Sequence, residues 1–561
     1  MRRNKDLSSR TKRGPGRTEA SAGRGRRAVV IGGGVAGLSS AALLARDGWS
    51  VDLVEARTDL GGRAGSWSQG GFRFDTGPSW YLLPEVFDHF FNLLGTSAGA
   101  ELDLRQLDPG YRVHFEYAEE PLEISASTEE NLARFEAIEP GAGARLERYL
   151  ASAQDTREVA LSHFLYTSFT SLRPFLTPSI LRRAPRLLPL LFHSLERFAA
   201  HQFSDPRLRQ VLGYPAVFLG SAPDTTPSLY HLMSSLDLTG GVLYPSGGFA
   251  RVVEVLVDLA RRNGVRLHTD TPASAILTTP GGHGRHRATA TGVKVLDAEG
   301  AERTLPADVV VASADLHHVE TTMLPPQLQT YPESWWRRRT PGPGAVLVML
   351  GVRGELPQLD HHTLLFTEDW SANFGAIAAG RVPRPASAYV CKPSATDASV
   401  APPGHENLFV LVPVPADPSL GRGGLDGTGS RLVEQVADAA IDQLARWTGV
   451  PDLADRIVVR RTLGPGDFSG DLAAWKGSML GPGHTLRQSA FFRAGNASRR
   501  VASLYYAGSS TIPGVGVPMC LISAEILLKR LRGDTSVGPL DPSEMALAEH
   551  RPNPDAPEVI A

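Results

Sequence analysis

Apolar runs and helical patterns alternate at both ends of the chain. Ala28–Ile31 and Val51–Val54 are short apolar runs typical of buried parallel strands, and Leu38–Arg46 between them has the spacing of a helix. Close to the other end, Leu504–Ala507 is a further apolar run, followed by a Gly/Pro-rich loop and an amphipathic helix. The first unit predicts an α/β domain, and the last unit raises the question of which domain it completes.

The middle of the chain combines the same elements in a different order. Its predicted helices are Pro84–Leu94, the segment from Gly247 and Gly248 through Ala260, and "SRLVEQVADAAIDQLARW". Its predicted strands are Val265–Leu267, Ala273–Leu277, the run after Ala307, "PGAVLVMLGV" and "NLFVLVPVP". Strands separated by Pro-rich turns over about 334–500 predict a second, mixed sheet.

Glycines follow the first predicted strand in the pattern G-x-G-x-x-G, at Gly32, Gly34 and Gly37. In such a unit the first glycine makes a tight turn, the second lets a pyrophosphate approach the backbone, and the third allows close helix–strand packing. Glu55 ends the second strand, where a carboxylate accepts hydrogen bonds from ribose hydroxyls and repels a 2′-phosphate. Strand, glycines, helix and acidic strand end together predict a dinucleotide site.

Composition narrows the function classes. The chain has 561 residues with a formal net charge of −2, which gives no argument for nucleic-acid binding. Two cysteines form neither a disulfide framework nor a metal cluster, so we expect no metal and a cytoplasmic setting. No apolar run reaches the ~18 residues of a membrane-spanning helix.

The residues after Glu55 carry a resemblance to known flavoproteins. "EARTDLGGRAGSW" followed by "FRFDTGPSWYL" resembles the flavin-binding start of the amine-oxidase and carotenoid-desaturase flavoproteins. The resemblance implies FAD, and it answers the question of the last unit, since in that group the C-terminal strand, loop and helix return to the dinucleotide domain beside the flavin. The implied fold is α/β, with a discontinuous Rossmann-type FAD-binding domain, an inserted mixed-sheet substrate domain and a helical membrane-facing lid.

Further motifs narrow the resemblance to the bacterial phytoene desaturase family. The chain has "GPSWYLLPEVF" from Gly77, adjacent histidines His361 and His362, "PSATDASVAPPG", "QSAFFR", and "AGSSTIPGVGVP" from Ala507. The match is colinear over about residues 28–533. One departure is Ile512, since many members of the family have histidine before the proline of the last motif.

The resemblance implies a set of cofactor-binding residues. These are Gly32, Gly34, Val35, Ala36, Gly37, Glu55, Ala56, Arg57, Gly62, Arg63, Gly77, Pro78, Ser79, Ala273, Gly508, Gly516, Val517 and Pro518. No Ser-His-Asp or metal-ligand set is evident. The strongest polar candidates for catalysis are His361, His362 and Lys476, and their position in the motifs alone assigns no role to them.

The same reasoning gives domain boundaries. We expect the FAD-binding domain at 28–110, 243–330 and 501–533, the substrate domain at 111–155, 201–242 and 331–500, and a lid at 156–200. Residues 1–27, with ten Lys/Arg, and 534–561 have the composition of disordered tails.

The implied activity is FAD-dependent desaturation of phytoene, a long isoprenoid hydrocarbon, by hydride transfer to flavin and proton loss. Without a second nucleotide motif, the electrons would pass to oxygen or a quinone. The open alternatives are a diapophytoene or late-stage desaturase, an isomerase, a ketolase, an amine oxidase and a non-catalytic isoprenoid carrier.

An apolar substrate resides in the bilayer, so we expect a peripheral protein on the membrane surface. Val159–Leu195 contains no acidic residue and is the candidate lid. Its predicted apolar stripe is Leu188, Leu191, Phe192, Leu195 and Ala199, its headgroup-binding residues are Arg173, Arg182, Arg183 and Arg186, and Pro174, Pro178, Pro185 and Pro189 would divide it into short pieces.

Overall fold

A computed structural model describes residues 25–169, 178–281 and 284–545. In these ranges the strands are β1 (Arg27–Ile31), β2 (Ser50–Val54), β3 (Ser66–Gln69), β4 (Phe72–Asp75), β5 (Leu104–Leu107), β6 (Tyr111–Phe115), β7 (Leu122–Ile124), β8 (Val242–Pro245), β9 (Arg266–His268), β10 (Ala273–Pro280), β11 (Ala288–Leu296), β12 (Glu302–Pro306), β13 (Val309–Ala312), β14 (Gly344–Arg353), β15 (His362–Phe366), β16 (Ala388–Cys391), β17 (His405–Val414), β18 (Ile457–Leu463), β19 (Val501–Ala502) and β20 (Leu504–Tyr506). The α-helices are α1 (Val35–Arg46), α2 (Pro84–Leu93), α3 (Ala98–Glu101), α4 (Thr128–Ile138), α5 (Ala142–His163), α6 (Pro178–Phe192), α7 (Leu195–Ala200), α8 (Pro206–Gly213), α9 (Pro215–Phe218), α10 (Ser234–Asp237), α11 (Gly248–Arg262), α12 (Leu316–Thr322), α13 (Glu333–Trp336), α14 (Trp370–Ala378), α15 (Arg431–Thr448), α16 (Pro465–Leu472) and α17 (Val517–Arg532).

A parallel sheet of five strands holds the two ends of the chain together. Its order is β20-β13-β1-β2-β9, and every neighbouring pair is parallel. The final strand pairs with β13, and α17 packs against α1. The C-terminal unit therefore completes the domain that the N-terminal unit begins, as the sequence predicts.

Alternating side chains of β1 supply two cores. Ala28 and Val30 face a layer that contains α1, α11 and α17, whereas Val29 and Ile31 face the small sheet of β10, β11 and β12. All four residues are buried, which explains why this strand is a continuous apolar run rather than an alternating one.

A mixed sheet of seven strands forms the second large unit. Its order is β18-β14-β17-β16-β15-β6-β7, antiparallel throughout except for the parallel pair β15–β6. One face packs on α15, and the other contributes to the cavity described below.

The lid region differs from the sequence prediction. Pro185 and Pro189 do not divide the segment, because α6 runs through both of them. The predicted stripe belongs to two helices: Leu188 and Phe192 are exposed on α6, Leu191 is half-buried, and Leu195 and Ala199 are buried in α7. Arg173 and Pro174 lie outside the described residues.

The C-terminal end of the folded part of the chain also differs from the sequence prediction. We expected a tail from residue 534, but Leu540 and Met545 are buried in the core that contains α1 and α17. The Lys529 ammonium donates to the carbonyls of Ser536 and Gly538 at 2.8 and 2.6 Å. These contacts fix a segment whose Pro-rich sequence lacks any helical or strand periodicity.

Candidate active site

One cavity of about 730 Å³ is lined by residues from both large sheets. The first glycine loop and the C-terminal loop line one part of it. Apolar side chains of the mixed sheet, of α5 and of α14 line the rest, including Leu161, Leu165, Phe366, Phe374 and Ile377. A nucleotide cradle and a long apolar wall therefore belong to the same site.

The three motif glycines differ in how closely their surroundings approach them. Gly32 has φ 102°, and a Cβ on Gly37 would lie 1.8 Å from the Gly32 carbonyl oxygen, so the helix can approach the turn only without a side chain. A Cβ on Gly34 would meet nothing closer than 3.8 Å, and Gly34 lines the cavity. Gly37 thus serves packing, whereas Gly34 leaves room for a ligand.

Glu55 is held rigidly at the end of β2. One of its carboxylate oxygens accepts the Gly33 N–H at 2.6 Å, and the other accepts the Arg57 N–H at 3.0 Å. Each carboxylate oxygen keeps a lone pair for a further donor, such as a ribose hydroxyl. The Arg57 side chain itself is exposed and does not line the cavity, so its contribution is the backbone N–H.

Arg63 lies at the cavity wall on a turn whose shape depends on glycine. Its Nη2 donates to Asp315 at 3.3 Å, while its buried Nε has no partner among the described residues. A Cβ on Gly77 would lie 2.0 Å from the Arg63 carbonyl oxygen, which explains the glycine of the "GPSW" motif. Arg63 therefore retains a donor for an anionic ligand such as a pyrophosphate.

A buried hydrogen-bond chain leads from the cavity into the mixed sheet. The Ser79 hydroxyl lies 2.5 Å from the Tyr389 hydroxyl, which lies 2.8 Å from Nδ1 of His362. Trp80 stacks on the His362 ring at 4.4 Å. Burial lowers the pKa of His362 well below its ordinary value, so the ring is neutral.

His361 and His362 are both buried, His361 in the bend just before β15 and His362 as the first residue of that strand, and neither lines the cavity. One ring nitrogen of each histidine lies within 4.8 Å of the other and of the Cys391 Sγ. The sequence analysis missed this cluster because Cys391 is distant in the chain and meets the histidines only through the pairing of β15 with β16. Burial raises the pKa of the Cys391 thiol to about 12, so the thiol is protonated in these surroundings.

Lys476 does not belong to this site. Its side chain is exposed, its Nζ lies 5.3 Å from the centre of the Trp475 ring, and it does not line the cavity.

The C-terminal loop lines the cavity beside the first glycine loop. Gly508, Gly514 and Gly516 have φ values of 122°, 150° and 119°, which residues other than glycine rarely adopt. Val517 and Pro518 begin α17 there, so the N-terminal end of that helix borders the site. Ile512, in contrast, is buried in the core and does not line the cavity.

Most of the predicted cofactor residues come together in this cavity. Those that line it are Gly32, Gly34, Val35, Ala36, Glu55, Ala56, Gly62, Arg63, Gly77, Pro78, Ser79, Ala273, Gly508, Gly516, Val517 and Pro518. The sequence analysis missed Tyr389, His484 and Trp370, which also line it. The donors, the acidic strand end and the glycine cradle fit a dinucleotide with an anionic pyrophosphate.

Comparison with known proteins identifies the family. Residues 35–526 match the model of the flavin-containing amine oxidoreductases. A carotenoid 3,4-desaturase of Haloarcula japonica is 39% identical over 498 residues, 89% of this chain and 96% of that protein. A zeta-carotene-forming phytoene desaturase of Myxococcus xanthus is 34% identical over 91% of this chain and 94% of its own length.

A solved structure shows the same fold. An oxidoreductase from Methanosarcina mazei superposes with a TM-score of 0.58 at 16% identity, over 90% of this chain and 100% of its own. Family, fold and cavity agree, and the chain is therefore an FAD-dependent oxidoreductase that belongs to the flavin-containing amine oxidoreductases, in the group that contains the carotenoid and phytoene desaturases.

Proposed function

We propose that this enzyme desaturates a long acyclic carotenoid, with phytoene as the reference substrate. The observation that carries the proposal is the single cavity that joins the glycine cradle to a long apolar wall. A hydrocarbon offers no hydrogen-bonding group, so its site must select by shape and exclude water. Bound FAD supplies the hydride acceptor, and the protein supplies alignment and a dry wall.

The residues that we assign to FAD follow from their contacts. Gly34 and Arg63 would meet the pyrophosphate, and Glu55 the ribose hydroxyls. Gly516 and the first turn of α17 would meet the polar edge of the flavin ring, because free N–H groups at a helix start bind electron-rich oxygens. Ala273, at the start of β10, would border the adenine end.

A second candidate is late-stage desaturation of a carotenoid that has an oxygen-containing end group. Two observations favour it: a 39% identical relative is a carotenoid 3,4-desaturase, and the apolar wall contains an open donor beside α14. This donor is the buried Nε1 of Trp370, which has no acceptor among the described residues. Ser387 and Asn373 line the cavity as well, and a hydroxyl or carbonyl oxygen on the substrate would satisfy the indole N–H.

We also propose that the enzyme collects its substrate at a membrane surface. Leu187 and Leu190 of α6 pack beside Val159 of α5, whereas Leu188 and Phe192 are exposed, Phe192 to 73%. The same turn of α5 lines the cavity through Ala160 and Leu161. An exposed apolar helix face over a wall of the substrate cavity suits uptake from lipid.

The arginines of α6 contribute less than the sequence implies. Arg183 and Arg186 both pair with Asp155, and Arg182 donates to the Pro178 carbonyl at 3.2 Å. The apolar face is therefore the main lipid-binding feature in this proposal. None of the helices in the described ranges is long and apolar enough to cross a bilayer.

The test is expression in cells that accumulate phytoene, and in parallel cells that accumulate lycopene or a hydroxylated lycopene. We expect pigments with longer conjugation, seen as a red-shifted absorbance and a loss of two mass units per new double bond. A product with unchanged mass would indicate an isomerase, and an oxygen-containing product a ketolase. Unchanged pigments in every strain, with the flavoprotein present, would refute the proposal.

A second measurement identifies the electron acceptor. The reduced enzyme is mixed with oxygen or with a quinone, and the acceptor is the one that reoxidises the flavin faster.

A further inference from the structure

A histidine lies against the C-terminal flavin loop at a position that no motif indicates. His484 is buried and lines the cavity together with Pro513 and Val515. A Cβ added to Gly514 would lie 2.3 Å from Nε2 of His484. The imidazole can therefore reach this place only because residue 514 has no side chain.

Hydrogen bonds fix the ring and its tautomer. Nδ1 of His484 lies 2.9 Å from the Leu219 carbonyl oxygen, which can only accept, so Nδ1 carries the hydrogen. The backbone N–H of His484 donates to the Ser221 hydroxyl at 2.7 Å. Nε2 is consequently the unprotonated nitrogen, and it forms no hydrogen bond within the described parts of the chain.

We propose that Nε2 of His484 accepts the proton that the substrate loses during desaturation. This inference rests on the proposed function. Bound FAD would accept a hydride, with both electrons of the C–H bond, from one carbon of the substrate. The neighbouring carbon loses a proton to Nε2, and the electrons of that second C–H bond form the new C=C bond.

A weak base is sufficient for this step. A C–H bond beside a carbon that has lost hydride is strongly acidic, so the base needs to be unprotonated and near rather than strong. Burial, reinforced by the Arg493 guanidinium, lowers the pKa of His484 well below its ordinary value, so the imidazole stays neutral. Arg493 is itself buried, and its hydrogen bonds within the described ranges all go to backbone carbonyls, among them those of Gln488 and Thr511.

Tyr389, another polar residue that lines the cavity, is less suited to the role. The Tyr389 hydroxyl already has two partners, Ser79 and His362, and burial raises its pKa well above the ordinary value. Because the neutral Tyr389 hydroxyl is already hydrogen-bonded to two side chains, it is a less accessible proton acceptor than Nε2 of His484.

The test compares two buried histidines. His484→Gln removes the base and retains a polar side chain. The matched control is His231→Gln: His231 is buried and its Nδ1 also lies 2.9 Å from a carbonyl oxygen, that of Ser228, but its Nε2 is bonded to Ser152 and it does not line the cavity. Each protein is loaded with FAD and mixed anaerobically with phytoene, lycopene or a hydroxylated lycopene in phosphatidylcholine vesicles.

For His484→Gln we expect flavin reduction at least ~100-fold slower than in the wild type, with unchanged flavin content, flavin absorbance spectrum and melting temperature. His231→Gln should reduce its flavin at the wild-type rate. In His484→Ala, added imidazole should restore part of the rate, which a purely structural role would not allow.

Wild-type rates in His484→Gln would overturn the inference, and so would an equal loss of rate in His231→Gln or the absence of imidazole rescue. If Tyr389→Phe alone slowed reduction, the base would be Tyr389 and the inference would be wrong. A wild-type protein that none of the carotenoids reduces would instead refute the proposed function.

Discussion

At the scale of single residues, two glycines of one motif have separable roles. We expect Gly34→Leu to fold and lose FAD, because a side chain there fits the protein but occupies the place of the pyrophosphate. Gly37→Ala should fail to fold, since its Cβ would collide with the Gly32 carbonyl. Flavin absorbance of the purified proteins and their circular dichroism distinguish the two. A Gly34→Leu protein with full flavin content would contradict the assignment.

A buried carboxyl gives a pH-dependent stability with a defined sign. Burial raises the pKa of Asp237 to about 6, although the hydroxyls of Tyr111 and Tyr214 donate to it at 2.8 and 2.6 Å. Between pH ~4 and ~6 the folded protein keeps this proton and the unfolded chain does not, so the contribution of Asp237 to stability falls as pH rises.

Asp237→Asn should therefore gain stability relative to the wild type as pH rises from 4 to 6, by about 2–3 kcal/mol, and keep that gain above pH 6. Urea unfolding of both proteins at several pH values measures the difference. Comparing the pair cancels the opposite trend of His361, whose pKa burial lowers to about 3. A pH-independent difference would contradict the prediction.

At the scale of elements, the sequence predicts correctly those strands and helices whose pattern of apolar residues matches their burial in the fold. The strands β1 and β2, the helix between them and the unit from β20 to α17 are confirmed. The predicted division of the lid into short pieces is wrong, because a proline can be accommodated within a helix where water replaces the lost hydrogen bond. Pro185 and Pro189 both lie on the exposed face of α6, where solvent can satisfy the backbone carbonyls that their missing N–H groups leave unpaired.

The segment after α17 provides a test of element packing. Leu540→Ala should lower the free energy of unfolding by about 2–4 kcal/mol, because Leu540 is buried against the nucleotide domain. Leu425→Ala is the matched control, since Leu425 is 45% exposed, and it should be nearly neutral. Denaturant unfolding measures both, and equal stabilities of the two variants would show that the segment does not pack.

At the scale of the whole molecule, the cavity wall combines residues that no local pattern connects. Ser79 belongs to a flavin motif and Tyr389 to a strand of the other sheet, yet their hydroxyls meet. His484 comes from an irregular segment, which has no periodicity to place it. Motifs could predict the nucleotide half of the site, whereas the substrate half depends on tertiary packing that one sequence does not encode locally.

The proposed membrane binding depends on the exposed face of α6 rather than on a single residue. Replacing Leu188 and Phe192 with Asp should reduce co-sedimentation with liposomes, while flavin content and melting temperature stay unchanged, because both side chains are exposed. Leu187→Asp with Leu190→Asp should instead destabilise the protein, since those side chains are buried. Unchanged liposome binding by the folded Leu188/Phe192 variant would end the membrane proposal.

Anaerobic flavin reduction tests the central claim most directly. The FAD-loaded enzyme is mixed with acyclic carotenoids in vesicles and, separately, with primary and secondary amines, and its flavin absorbance is followed. We predict that a carotenoid bleaches the flavin and gains one double bond per flavin reduced, and that amines leave the flavin oxidised. Bleaching by amines alone would identify an amine oxidase, and bound flavin that no carotenoid bleaches would identify a carrier; either result would contradict the account.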